Sequence, residues 1–117
     1  MDTVTIYHNP RCSKSRAALA LLQERGVPLR VVEYLKHPPT RAELETLRQQ
    51  LGVPPHAWVR TSEAEFKAAG LDAESSEGAV LDAMAAHPIL IERPIVVRGA
   101  RAIVARPPER LVELLDG

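Results

Sequence analysis

A chain of 117 residues in which 15 Lys and Arg balance 15 Asp and Glu has no overall field to draw nucleic acid or an anionic membrane. Its composition, 45% apolar and 26% charged, suits one soluble domain, and one Trp, two Tyr and one Phe are too few rings for a base-stacking surface. No apolar run reaches membrane-spanning length, the first residues lack a basic-then-apolar leader, and one cysteine cannot close an intramolecular disulfide, so a cytoplasmic protein is expected.

Residues 3–7 predict a short strand and residues 13–25 a helix that begins at Cys12, with Gly26 as the residue that closes it. A second strand follows from Leu29 to Tyr34, which makes a βαβ unit with parallel strands. His37-Pro38-Pro39 ends it. Thr40 and Glu43 form a capping box ahead of Leu44, Leu47 and Leu51 at helical spacing, and Gly52 stops that run. Ser62 to Glu65 reads as a second capping box, and Ser76 as the cap of a helix with Val80, Leu81 and Met84 inward. His87-Pro88 closes that helix, so residues 38–87 form an all-helical insertion. Ile89 to Ile91 reads as extended. Ile95 to Val97 and Ala102 to Val104 pair as an antiparallel hairpin about Gly99, and a last helix carries Leu111, Val112, Leu114 and Leu115 after Pro107-Pro108. The order is β-α-β, helical insertion, β-β-α, a single α/β domain over residues 1–117.

Chemistry concentrates where the first strand meets the first helix. The first N–H groups of a helix have no partner within it, so a thiol placed there ionises more readily and an oxyanion finds donors. Cys12 sits at that point among the cations Arg11, Lys14 and Arg16. Position 15 is Ser, so no second thiol exists to resolve a disulfide, and any redox cycle through Cys12 needs an external thiol. One Cys and four scattered His give no metal-ligand cluster. His8, four residues ahead, can act on the thiol as imidazolium or take its proton as imidazole, or can simply end a strand. Arg60, Arg93 and Arg106 each border apolar residues and need an anionic partner, either a carboxylate such as Glu92 or Glu109 or a tetrahedral oxyanion.

The stretch Tyr7-His8-Asn9-Pro10-Arg11-Cys12-Ser13-Lys14-Ser15-Arg16 resembles the active-site signature of the glutaredoxin-dependent arsenate reductases. Further blocks are similar to that family: Tyr34 to Pro39, Val59 to Glu63, His87 to Val97, and Ala105-Arg106-Pro107. The resemblance spans residues 4 to 114 and, since the chain ends at Gly117, points to the shorter branch. It implies a thioredoxin-like fold with a helical insertion and a monomer without tightly bound cofactor. It implies Cys12 as nucleophile with His8 beside it, and Pro94 as the cis-proline facing the thiol. Arg60, Arg93 and Arg106, with Ser13 and Ser15 just past the cysteine, would hold the oxyanion. Arsenate would be the substrate, glutathione a co-substrate and glutaredoxin the reducing partner. A monothiol oxidoreductase acting on glutathione mixed disulfides would need Cys12 and Pro94 but not all three arginines. An RNA-polymerase-binding regulator shares the fold, and Ser15 counts against it because such regulators usually carry Cys-x-x-Cys.

Overall fold

The computed structural model describes residues 3–116. Two compact units divide the chain, one running through His37 and resuming at Arg93, the other Pro38–Glu92.

The first unit is built on a four-stranded sheet. Its strands are β1 (Val4–His8), β2 (Leu29–Glu33), β3 (Ile95–Arg98) and β4 (Arg101–Val104), in spatial order β2-β1-β3-β4. β1 and β2 are parallel, with Val4 opposite Leu29 and His8 opposite Glu33, as a crossover through one helix requires. β3 runs antiparallel to β1, Tyr7 facing Ile95, and β4 turns back along β3 through the hairpin at Gly99, whose φ of 59° needs no Cβ. The crossover helix α1 (Ser13–Glu24) buries Ser15, Ala18 and Leu22, one face at helical spacing. Ala18 and Leu22 of that face, the inward residues Val4, Ile6 and Val96, and Leu111 and Leu114 of the last helix α5 (Leu111–Asp116) form one apolar core. A proline-led 3₁₀ turn, Pro108–Arg110, feeds α5. The expected order β-α-β … β-β-α holds.

The second unit contains α2 (Arg41–Leu51), α3 (Ala64–Ala68) and α4 (Glu77–Ala86). The Thr40 box is complete: Glu43 N–H donates to Thr40 Oγ1 at 3.1 Å, and Thr40 N–H donates to Glu43 Oε1 at 2.9 Å. Gly52 ends α2 at φ 68°, a left-handed residue as the run predicted. Ser76 Oγ accepts from Ala79 N–H at 3.1 Å and caps α4. Leu44 and Leu47 of α2 and Val80, Leu81 and Met84 of α4 are buried, and Arg41 clamps Asp82 across the helix pair at 2.7 Å.

Two local expectations fail. Ser62 does not cap α3: the helix starts one residue later, Glu63 takes the cap position without a side-chain bond, and Glu65 is then one residue short of the reach-back position. Residues Pro88–Leu90 are a 3₁₀ turn rather than extended chain. Pro88 starts it, where a missing N–H costs nothing, and Leu90 N–H donates to His87 O at 2.9 Å. Only Ile91 is in an extended pairing, an antiparallel bridge to Val59. No helix among the described residues is long and apolar enough to cross a membrane.

Leu22 is fully buried in the core of the sheet unit. Leu22→Ala is expected to lower unfolding stability by ~2–5 kcal/mol, read as a lower midpoint in urea denaturation followed by circular dichroism.

Candidate active site

The turn between β1 and α1 is fixed from several sides. Cys12 N–H donates to Asn9 O at 3.0 Å, and Cys12 O accepts the Arg16 N–H at 3.0 Å as the first helical bond. Asn9 Oδ1 accepts from Arg11 N–H at 3.0 Å, a side chain bridging two residues on in the way that favours Asn in turns. Arg16 Nη1 donates to Pro10 O at 2.9 Å. Cys12 itself stands in extended conformation, φ −98° and ψ 122°, immediately before α1 and partly exposed.

Beneath the turn lies Ser15, fully buried, and His8 beside it at 6% exposure. Ser15 Oγ is 2.7 Å from His8 Nδ1 and accepts the Asn9 N–H at 3.0 Å. A buried hydroxyl without partners would destabilise the fold, so these two bonds keep position 15 polar and in place. Burial pushes the His8 pKa below 6.5, and the Arg16 charge lowers it further while Glu33 opposes. Near pH 7 this favours the neutral ring at His8 over the imidazolium.

Burial pushes the Cys12 thiol up, yet its pKa lies below the ordinary thiol value. The backbone N–H groups of Ser15 and Lys14 lower it, and then the charges of Arg93 and Arg106. No capping hydrogen bond to Sγ is formed at the helix start, so the N–H groups act by their aim at the sulfur. The dominant charges come from arginines distant in sequence, one of them 94 residues away, whereas Arg11, Lys14 and Arg16 are its sequence neighbours. Arg106 Nη1 lies 4.0 Å from Cys12 Sγ and donates to the Arg93 carbonyl at 3.1 Å. That carbonyl orients this Arg106 nitrogen. Both Arg93–Pro94 and Arg106–Pro107 are cis peptide bonds, and Pro94 O accepts the Ala105 N–H at 2.9 Å.

The structure thus brings Cys12, Arg93 and Arg106 together in the sheet unit, with the Ser15 backbone N–H serving the thiol. The Ser15 hydroxyl turns inward to His8, so its side chain supports the turn and is not offered to a ligand. The spacing 15, 18, 22 marks a buried helix face and is the sequence signal for that role. Ser13 is exposed at the first turn of α1. Arg60 belongs to the second unit, where its Nη1 pairs with Glu63 Oε1 at 2.6 Å and its Nε lies 4.0 Å from Glu92 Oε1. Sequence reading named Glu92 as a partner and missed Glu63, three residues on, and the organising role of Asn9.

Among known proteins, the ArsC family matches residues 7–114. The chain is 44% identical over 117 residues to an arsenate reductase of Neisseria meningitidis, covering 98% of this chain and 100% of that one. It is 37% identical over 116 residues to an arsenate reductase of Escherichia coli, covering 98% of this chain and 82% of the relative. A solved structure described as an arsenate reductase from Vibrio cholerae superposes with a TM-score of 0.90 at 47% identity, covering 96% of this chain and 97% of that one. The α/β fold is the thioredoxin-like fold of these relatives.

Two outcomes are expected from this electrostatic arrangement. The rate of Cys12 alkylation by iodoacetamide should climb with pH and level off at a midpoint below the ordinary thiol range; Arg106→Gln should move that midpoint up by about one pH unit. For His8, the unfolded chain takes up a proton near pH ~6.5 whereas the folded chain does so only lower. Stability from the buried neutral ring is therefore complete above that pH and is lost as pH falls below it. Unfolding midpoints measured from pH 8 to 5 should show this decline, and His8→Asn should flatten it.

Proposed function

The chain belongs to the ArsC family, and we propose from that starting point that it reduces arsenate to arsenite through a covalent Cys12–arsenic intermediate, with glutathione and glutaredoxin as reductants. The observation that carries the reading is the thiol of lowered pKa at a helix start with a guanidinium 4.0 Å away. A thiolate alone serves many reactions. A thiolate paired with fixed donors for oxygen serves attack on the central atom of an oxyanion.

The Cys12 thiolate attacks arsenic(V), forming an S–As bond while one As–O bond breaks and the oxygen leaves as water after protonation. Arg93, Arg106 and the N–H groups after Cys12 hold the charge on the remaining oxygens. Glutathione replaces a second oxygen on arsenic, again releasing water. A glutaredoxin thiolate then attacks the glutathione sulfur. The electron pair of that S–As bond stays on arsenic, which becomes arsenic(III), and the two thiols depart as a mixed disulfide. Water displaces Cys12 from arsenic(III), which frees arsenite and restores the thiol. The absence of any other cysteine in the sequence agrees with this dependence on external thiols. Arg60 keeps the oxyanion role that the resemblance implies, in competition with Glu63. The reading requires no resident cofactor and places the chain, as a monomer, in the cytoplasm, where reduced glutathione is plentiful.

The deciding measurement is arsenite formation coupled to glutathione, glutaredoxin and NADPH recycling. Turnover is expected for the intact protein and none for Cys12→Ser. Arg93→Gln and Arg106→Gln should each lower kcat/KM for arsenate by roughly tenfold to a hundredfold. Disulfide reduction without arsenite formation would replace this reading with a monothiol oxidoreductase.

A further inference from the structure

Beside the cysteine turn, the ends of the two parallel strands leave a cleft of about 200 Å³. Residues from His8 through Arg11 line one side of it, and Glu33, Leu35 and Lys36 the other. All belong to the sheet unit, and the parallel register sets His8 directly opposite Glu33. Arg11 and Lys36 bring two cations and Glu33 one carboxylate. His8, whose burial favours the neutral ring, adds little further charge. Lys36 Nζ is 3.7 Å from Glu33 Oε1 with side chains 73% and 38% exposed, a loose pair that a ligand can replace at little cost. Leu35 and Pro10 add apolar surface, and Leu35 is 43% exposed although large.

This pattern fits a small zwitterion with two carboxylates, one ammonium and a short apolar middle. We infer that the cleft is the subsite for glutathione, its carboxylates on Arg11 and Lys36, its ammonium on Glu33 and its methylenes against Pro10 and Leu35. The inference rests on the glutathione-dependent reading given above. Cys12 follows Arg11 directly, only about 3.8 Å further between α-carbons, so a tripeptide anchored there carries its thiol toward the arsenic adduct. Arg93 and Arg106 act on the same sulfur, which divides the surroundings into an oxyanion side and a thiol-donor side. Net charge agrees: the cleft has one cation in excess, and glutathione is an anion of charge minus one at pH 7.

The test uses S-methylglutathione, whose sulfur cannot react, titrated into the isotopically labelled full chain and followed by amide NMR shifts. Saturable shifts are expected at Asn9, Arg11, Glu33, Leu35 and Lys36. Lys36→Glu combined with Leu35→Asp, both on exposed positions, should weaken this binding about tenfold. The same pair should raise KM for glutathione about tenfold in the coupled assay without altering KM for arsenate. Arg11→Glu is an independent variant with the same expected direction. Saturable shifts confined to other residues, no binding at all, or unchanged affinity in both variants would overturn the subsite. Binding as expected without any arsenite formation would leave the subsite standing and remove the arsenate reading. Arsenite formation with an unaltered KM for glutathione in both variants would do the reverse.

Discussion

A buried hydroxyl ties the end of the central strand to the first helix: Ser15 Oγ meets His8 Nδ1 at 2.7 Å and the Asn9 N–H at 3.0 Å. Helix α1 packs its 15, 18, 22 face inward, so whatever stands at position 15 is carried into the core. A polar group there is tolerable only with partners, and the two it finds are the residues that end β1 and open the turn. The bonds therefore set the path of the chain from His8 to Cys12. That path decides where the N–H groups of Lys14 and Ser15 aim, and hence how readily the thiol ionises. A cysteine at position 15 would supply a second thiol; serine supplies an anchor instead.

The ionisation of Cys12 is a contest between burial and donors. Burial is the largest single influence and opposes the thiolate, yet it is outweighed by two backbone N–H groups and two guanidinium charges together. Partial exposure limits what burial can take away. Arg106 holds its place because its Nη1 also donates to the Arg93 carbonyl, next to the cis bond before Pro94. The donors are thus fixed before any anion arrives, the condition under which electrostatic stabilisation is most effective.

Arg60 belongs to a different setting. Its guanidinium, 17% exposed, is matched in its own unit by Glu63 at 2.6 Å and approached by Glu92 at 4.0 Å. Two carboxylates around one arginine compete for its donors. The oxyanion role proposed for Arg60 therefore requires an anion to displace these carboxylates, which makes Glu63 as relevant to that proposal as Arg60 itself.

Much of this was legible in the residues. The strand-helix-strand start, the Thr40 box, the Gly52 stop, the Ser76 cap and the β3–β4 hairpin all depend on local preferences that act over a few residues. The position of Cys12 at a helix start was equally local. Where local signals were offset by one residue, as at Ser62, or where a proline turn imitated extended chain, as at Pro88, the reading failed. The partners of the thiol lay beyond such reasoning. Arg11, Lys14 and Arg16 are its neighbours in sequence, but Arg93 and Arg106 supply the charge, because the pairing of β3 with β1 and the return of β4 carry them to the sulfur. Ser15 and His8 likewise became a pair only through the packing of α1 on the sheet. The sequence by itself determined the elements, their order and a thiol at a helix start, since those follow from spacing along the chain. Tertiary structure alone decided which charges and hydrogen bonds that thiol feels, since these depend on distances through space.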